Sequence, residues 1–360
     1  MDDIENVVRD ARPEAAPYDG HARSAARARL LQAGTVRHGG VRPTRTRRTR
    51  FVIAVGALAV AATAVVVVGR LDGAPPAVDH GPAVVALPVI APVSATEVLG
   101  RAASAAKGSG EADPRDDQFV KVESQTMYQW SSPEARYLYR TRRTIWQSAD
   151  GRHAGALKIE HLAPRPYPGR PLPEQATRDT GETSWNLLPA CDLGPEDNWF
   201  TYASLKKLPA DAAGMHDYLY GRAGEKAKLA SGKNSSVDDI AWTMLGDMLR
   251  ETAIPAAQRA ALFEAAKSIP GTTVTEDATD AADRSGIGVG RVLDGVRNDL
   301  IFQPDTYAYL GERGVVVDAD EAKAPVGSLV ASTAQLSVSV ADKAPDVDDP
   351  ASTCAPPGNS

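Results

Sequence analysis

Cysteine occurs twice in 360 residues and histidine six times. Four histidines, His80, His153, His161 and His216, follow the longest apolar run, and none forms an HxxxH or HxC pair, so a zinc or other transition-metal centre is not expected. His153 and His161 are eight apart on one strand candidate, about 26 Å if it stays extended, too far to share an ion. No Gly-x-Ser-x-Gly elbow is present, and neither cysteine has a nearby histidine, which removes the usual nucleophile signatures. Gly286, Gly288 and Gly290 resemble a phosphate loop but lack the sixth-position glycine and a following Lys-Ser/Thr, and read instead as a glycine-bearing strand. The carboxylates Asp277, Asp280 and Asp283, like Asp346, Asp348 and Asp349, lack the central glycine and terminal glutamate of a calcium loop and read as solvated loops. The chain is therefore expected to be non-enzymatic, with no cofactor and no metal.

What is present is one long hydrophobic run. Phe51 to Gly69 carries no charge over nineteen residues, enough for a helix of about 28 Å against a hydrocarbon core of about 30 Å. Arg42, Arg45, Arg47, Arg48 and Arg50 precede it and only Arg70 follows immediately. The positive-inside rule then places residues 1–50 in the cytoplasm and the remainder outside the cell. The alternatives are a buried soluble helix and a cleaved export signal. The second draws on the twin-arginine-like stretch Arg47 to Phe51 and the small-x-small site Ala62-Thr63-Ala64. Against cleavage, the run exceeds a signal core and its most apolar part, Val65 to Val68, follows the cut.

Charge divides along the same line. Residues 1–50 hold eleven arginines and six acids, a net of +5, whereas residues 71–360 hold twenty-eight Lys or Arg and forty acids, a net of −12. A basic arm suits an anionic inner leaflet, and an acidic exterior argues against nucleic acid as its partner. Cys191 and Cys354 both fall in the exterior part, where a disulfide between them would persist; two free thiols are the alternative.

The expected organisation is a cytoplasmic basic arm (1–50), a transmembrane helix (51–69), a Pro/Gly-rich linker (70–93) and an extracytoplasmic α+β domain (94–360) in which an antiparallel sheet packs with helices. In the arm, residues 2–12 and 19–32 are short helical candidates with too few large apolar side chains for a core of their own. Ser94 to Glu97 reads as a capping box opening a helix that ends at Gly108. Alternation predicts strands over 118–130, 136–147 and 154–162, with Asp150-Gly151 as a turn and a Pro-rich loop over 164–173. Helical spacing marks 238–250, and Pro255 opens a second helix stopped by Gly271. Short strands are expected over 272–274, 286–293, 300–302, 306–310, 314–317 and 328–340. The five tryptophans, Trp130, Trp146, Trp185, Trp199 and Trp242, are read as core packing, with an apolar ligand cavity as the rival.

Residues 268–289 (SIPGTTVTEDATDAADRSGIGV) followed by 300–313 (LIFQPDTYAYLGER), with 146–151 (WQSADG) and 205–220 (LKKLPADAAGMHDYLY), resemble recurrent segments of a family of actinobacterial single-pass membrane proteins of uncharacterised function. Gln303 stands where that family most often has Asp. Its members are often encoded beside extracytoplasmic-function sigma factors. The resemblance therefore implies a membrane-bound, anti-sigma-like regulator whose inner arm meets a sigma factor and whose exterior binds an unknown ligand or protein. The arm has no cysteine, which rules out the zinc-binding form of anti-sigma domain. At fold level alone the exterior is similar to the half-barrels of lipoprotein-carrier and RseB-like proteins, which implies the alternative of an anchored or secreted carrier, or a structural module, for an apolar ligand.

Overall fold

The alternating, β-branched and aromatic stretches of the sequence build one sheet. The computed structural model describes residues 87–91, 93–109, 112–132, 135–190, 201–229 and 235–348. Strands β1 (Phe119–Ser131), β2 (Arg136–Ser148), β3 (Gly155–Pro166) and β4 (Thr183–Leu188) form an antiparallel meander. β5 (Thr273–Thr279), β6 (Ser285–Leu293), β7 (Val296–Phe302) and β8 (Tyr309–Val316) form a second one. The final strand, β9 (Leu329–Ala341), pairs antiparallel with both β1 and β8 and joins the halves. The sheet order is β4-β3-β2-β1-β9-β8-β7-β6-β5.

Helices lie on one face of this sheet, mainly over β5–β8. They are α1 (Ala95–Gly108), the one-turn α2 (Tyr202–Leu205), α3 (Ala212–Leu229), α4 (Val237–Leu249) and α5 (Ala256–Ala266). Leu99, Met215, Leu245, Leu262 and Phe263 meet Val274, Val289, Leu300 and Phe302 of the sheet in one buried cluster. Phe263 and Phe302 cross edge to face at 5.4 Å, a geometry worth about 0.5–1.5 kcal/mol beyond the area they bury. Ser94 caps α1 by accepting from Glu97 N at 3.1 Å, but the Glu97 side chain turns to Arg101 at 2.5 Å instead of closing a capping box. The reciprocal box is found at Ser236 and Asp239, where α4 begins.

The opposite face is closed at β5–β8, where Ala278, Ile301 and Leu310 bury one another. Gly288 leaves the room that Thr275, Ala278 and Asp299 use: a Cβ there would lie 2.5 Å from Thr275 Oγ1. The β5–β6 tip folds back over the sheet, where Ala281 N donates to Thr333 O and Gln125 Nε2 donates to Ala281 O. Asp280 is buried, contrary to the solvated loop expected, because its carboxylate accepts from Ala282 N, Arg284 N and the Arg284 guanidinium and holds that tip together.

Other expectations are also corrected. β3 continues through Pro164 and Pro166, since its pairing with β2 skips a residue between Leu138 and Arg140 and the prolines donate nothing to the ladder there. β4 and α3 fall where no strand or helix is expected. β4 is short, and α3 buries only Met215, Leu219 and Ala223. The ends 309–310 and 314–316 of two expected strands belong to one strand, β8, and β7 begins four residues earlier than 300 after the Asp294-Gly295 turn, both of whose residues have positive φ. Among the tryptophans, Trp242 is core, but Trp130 and Trp185 are 44% and 42% exposed. Trp199 lies outside the described residues.

No helix of the described residues is long and apolar enough to cross a membrane. The run 51–69 lies outside them.

Candidate ligand-binding face

Three sets of charged side chains sit on the sheet, and only one is open. The first lies where the end of α4 meets β1, β2 and β8. Arg250 donates to Asp247 at 2.8 Å and to Glu312, whose other oxygen accepts from Tyr309 at 3.0 Å. Burial alone would lower the Arg250 pKa, but Glu312, Tyr128 and Asp247 hold it well above its ordinary value. Burial and the Glu312 carboxylate push the Tyr309 phenol well up. The next residue, Glu251, is buried with φ +57°, and its carboxylate accepts from Ser124 Oγ at 2.6 Å and pairs with Arg143 Nε at 3.3 Å. A serine bound to an arginine-paired carboxylate, with no histidine between, lacks the base an activated nucleophile needs. This set fastens α4 to the sheet.

The second set is sealed inside the coiled half. Asp299 sits between Arg297 (2.8 Å) and Arg313 (3.0 Å), with side chains 0–5% exposed. Nothing dissolved reaches it.

The third set covers the face of β1–β4 turned away from the helices. Pairing places Lys121, Arg136, Arg140, Arg142, Lys158 and Arg165 on this face, against only Glu123 and Glu160. Strand alternation is the cause: in β2 every second residue from Arg136 faces this way, giving Arg136, Leu138, Arg140, Arg142, Thr144 and Trp146. Glu123 pairs with Lys121 at 2.7 Å, which with a bond from Ser337 holds its carboxyl below the usual range, and Glu160 pairs with Lys158. Arg142 is the one residue of β2 that is exposed rather than buried or half-buried. Burial and then Arg165 pull Arg140 below its ordinary value, although Asp283 on the β5–β6 tip opposes this. Burial, with a smaller push from Arg170, lowers Arg136 as well, although Tyr167 opposes this; its guanidinium donates to Gln129 Oε1 and the Tyr167 hydroxyl at 2.7 Å and lies 3.7 Å from the Tyr167 ring centre.

At the other end of the stripe Trp146 and Trp185 stack, with centres 6.0 Å apart and planes 23° apart. Lys121 and Lys158 lie over these rings at 5.6 and 6.0 Å. The face thus combines cations, bidentate donors and an exposed aromatic surface. That is the chemistry of anion recognition with stacking.

A cleft of about 230 Å³ is bounded by Pro114, Ala149, Tyr202 and Lys206, below the range usual for drug-sized ligands. His153 pairs with Asp150, His161 lies 3.4 Å from Ser184 Oγ, and His216 stacks on Tyr220. Among the described residues no three His, Cys, Asp or Glu converge on a point that a metal ion would occupy.

Of the residues singled out from the sequence, Arg42, Arg45, Arg47, Arg48, Arg50, Cys191 and Cys354 all lie outside the described residues. The basic face was not foreseen. Its signal was present in the even spacing of Arg136, Arg140 and Arg142, which reads as an ordinary wet face until β3 adds Lys158 and Arg165 beside it. No protein-family model matches the chain, and no curated protein matches it significantly.

Proposed function

We propose that this is a single-pass cell-envelope protein with its N-terminus in the cytoplasm and a non-enzymatic binding or sensing domain outside. The observation that carries the reading is the open part of the β1–β4 face, which concentrates six cations and a stacked tryptophan pair, Trp185 exposed and Trp146 half-buried, on a part of the chain whose net charge is −12. A surface lined by one sign of charge raises the local concentration of anionic partners and speeds their association. The apolar run and its arginines support the anchor, and the resemblance to single-pass proteins supports an arm that reports to a sigma factor. The carrier alternative needs an apolar cavity, and the space between helices and sheet is filled by the Leu, Met and Phe side chains of the core.

The test uses the full chain with Cys191 and Cys354 replaced by serine. A cysteine is placed at Thr183, exposed on the basic face, or at Lys228, exposed on α3. A membrane-impermeant maleimide is applied to intact cells and to purified protein. An occupied exterior face gives slower labelling of Thr183→Cys in cells than in purified protein, with Lys228→Cys unchanged. Equal rates at both sites in both settings would remove the binding face, and no labelling of either site in cells would remove the exterior location.

A further inference from the structure

The basic face has a shape as well as a charge. Its cations follow β2 from Arg136 to the level of Trp146, ten residues or about 33 Å along the strand. One flank is walled by the β5–β6 tip, which stands on the same side of the sheet and is fastened there through Gln125 and Thr333. Arg140 lies at the foot of this wall, near Asp283. The end near Arg136 is closed by Tyr167 and by residues 316–330, including the single turn α6 (Ala319–Ala322), over Met127 and Leu138. A planar bilayer cannot descend beside the wall to Arg140, whereas an extended chain can lie along it. Beyond Arg136, which Gln129 and Tyr167 already hold, the cations nearest this path include Arg140, Arg142, Arg165 and Arg170, arginines whose planar forks bind carboxylate or phosphate oxygens two at a time. Arg140 with Arg165 and Arg136 with Arg170 repel each other as the face stands, an opposition that anionic groups would relieve. The stacked pair Trp146 and Trp185 offers a flat apolar surface with polar neighbours on both sides, the complement of a sugar ring's C–H face.

We propose that this face binds an acidic glycan: an extended polymer whose carboxylate or phosphodiester groups meet the arginine stripe and whose sugar ring packs on Trp185. The proposal rests on the binding reading above and names its partner class.

The test is direct binding of the full chain in detergent micelles to polygalacturonate, as a carboxylate polymer, and to poly(glycerol phosphate), as a phosphodiester polymer. Dextran serves as the uncharged control and vesicles rich in anionic phospholipid as the planar alternative. At low salt polygalacturonate binds and dextran does not, poly(glycerol phosphate), which has no sugar ring, binds more weakly, and raising the salt weakens binding severalfold. Arg142→Ala combined with Arg165→Ala weakens it about tenfold or more, and Arg142→Lys less than Arg142→Ala. Trp185→Ala weakens polygalacturonate more than poly(glycerol phosphate), and far-ultraviolet circular dichroism of each variant matches the parent. The proposal is overturned if neither polymer binds, if only the ringless poly(glycerol phosphate) binds, if the arginine variants bind as the parent does, or if the vesicles bind through these arginines and the polymers do not. Protection of Thr183→Cys in cells without polymer binding would leave the face occupied and the glycan assignment wrong.

Discussion

Arg250 at the end of α4 and Glu312 on β8 form an ion pair across the seam between helices and sheet, with side chains 12% and 16% exposed. Their neighbours Asp247, Tyr309 and Tyr128 complete the environment. Removing one partner leaves the other charge buried, so Arg250→Ala should cost about 3–5 kcal/mol. Replacing both, Arg250→Met with Glu312→Leu, should recover part of that loss, because Glu312 is no longer stranded and only Asp247, 18% exposed, loses its partner. Urea unfolding of the three proteins checks this, and a double variant no more stable than Arg250→Ala would contradict it.

Two glycines should respond in opposite directions. A Cβ at Gly311 would lie 2.1 Å from the carbonyl oxygen of Thr333 on β9, so Gly311→Ala must push apart a central strand pair and should cost about 1–3 kcal/mol or more. Gly221 is inside α3 with nothing within 4 Å of the added carbon, so Gly221→Ala should stabilise by about 0.5–1 kcal/mol. Thermal unfolding midpoints would show one fall and one rise.

Alkaline stability should report Tyr220. Burial, with the hydrogen bond it donates to Asp238 at 2.7 Å, pushes its phenol up to about 12. Below about pH 10 the phenol is protonated in both the folded and unfolded chain, and its contribution is fully present. Above that the unfolded chain ionises first, so the contribution is lost as pH rises toward 12. Comparing urea midpoints at pH 9 and pH 11 should show a smaller fall for Tyr220→Phe than for the parent, and equal falls would refute the assignment.

The pairing of Cys191 with Cys354 is open to a separate measurement. A bridge would close about 163 residues and be worth at most roughly 5 kcal/mol in the chain-entropy model. Reduction of the oxidised protein should then lower its unfolding midpoint by several degrees. Two titratable thiols in untreated protein, with no shift on reduction, would remove the bridge.

What could be read in advance followed the strength of the local pattern. β1, β2, β9 and the amphipathic α4 carry period-2 or period-3.6 spacing strong enough to mark them within about two residues. α3 escaped notice because three small or flexible buried positions make a weak stripe, and β4 because its pairing to Lys158 and Glu160 is nonlocal. The tryptophans mislead for the same reason. Sequence shows that Trp185 is large and apolar, but only the register with β3 shows that it stands outside on Trp146. The basic face depends on the same nonlocal register, since Arg142 and Arg165 are twenty-three residues apart and become neighbours only when β2 and β3 pair.

The most direct test of the account is topology. In the cysteine-free full chain, single cysteines at Ala16 and at Lys228 are exposed to a membrane-impermeant thiol reagent in intact cells, and the fractions are separated. The account predicts that only Lys228→Cys reacts and that the labelled protein stays in the membrane. Reaction at Ala16, or Lys228→Cys labelled only in protein released to the medium, would contradict it.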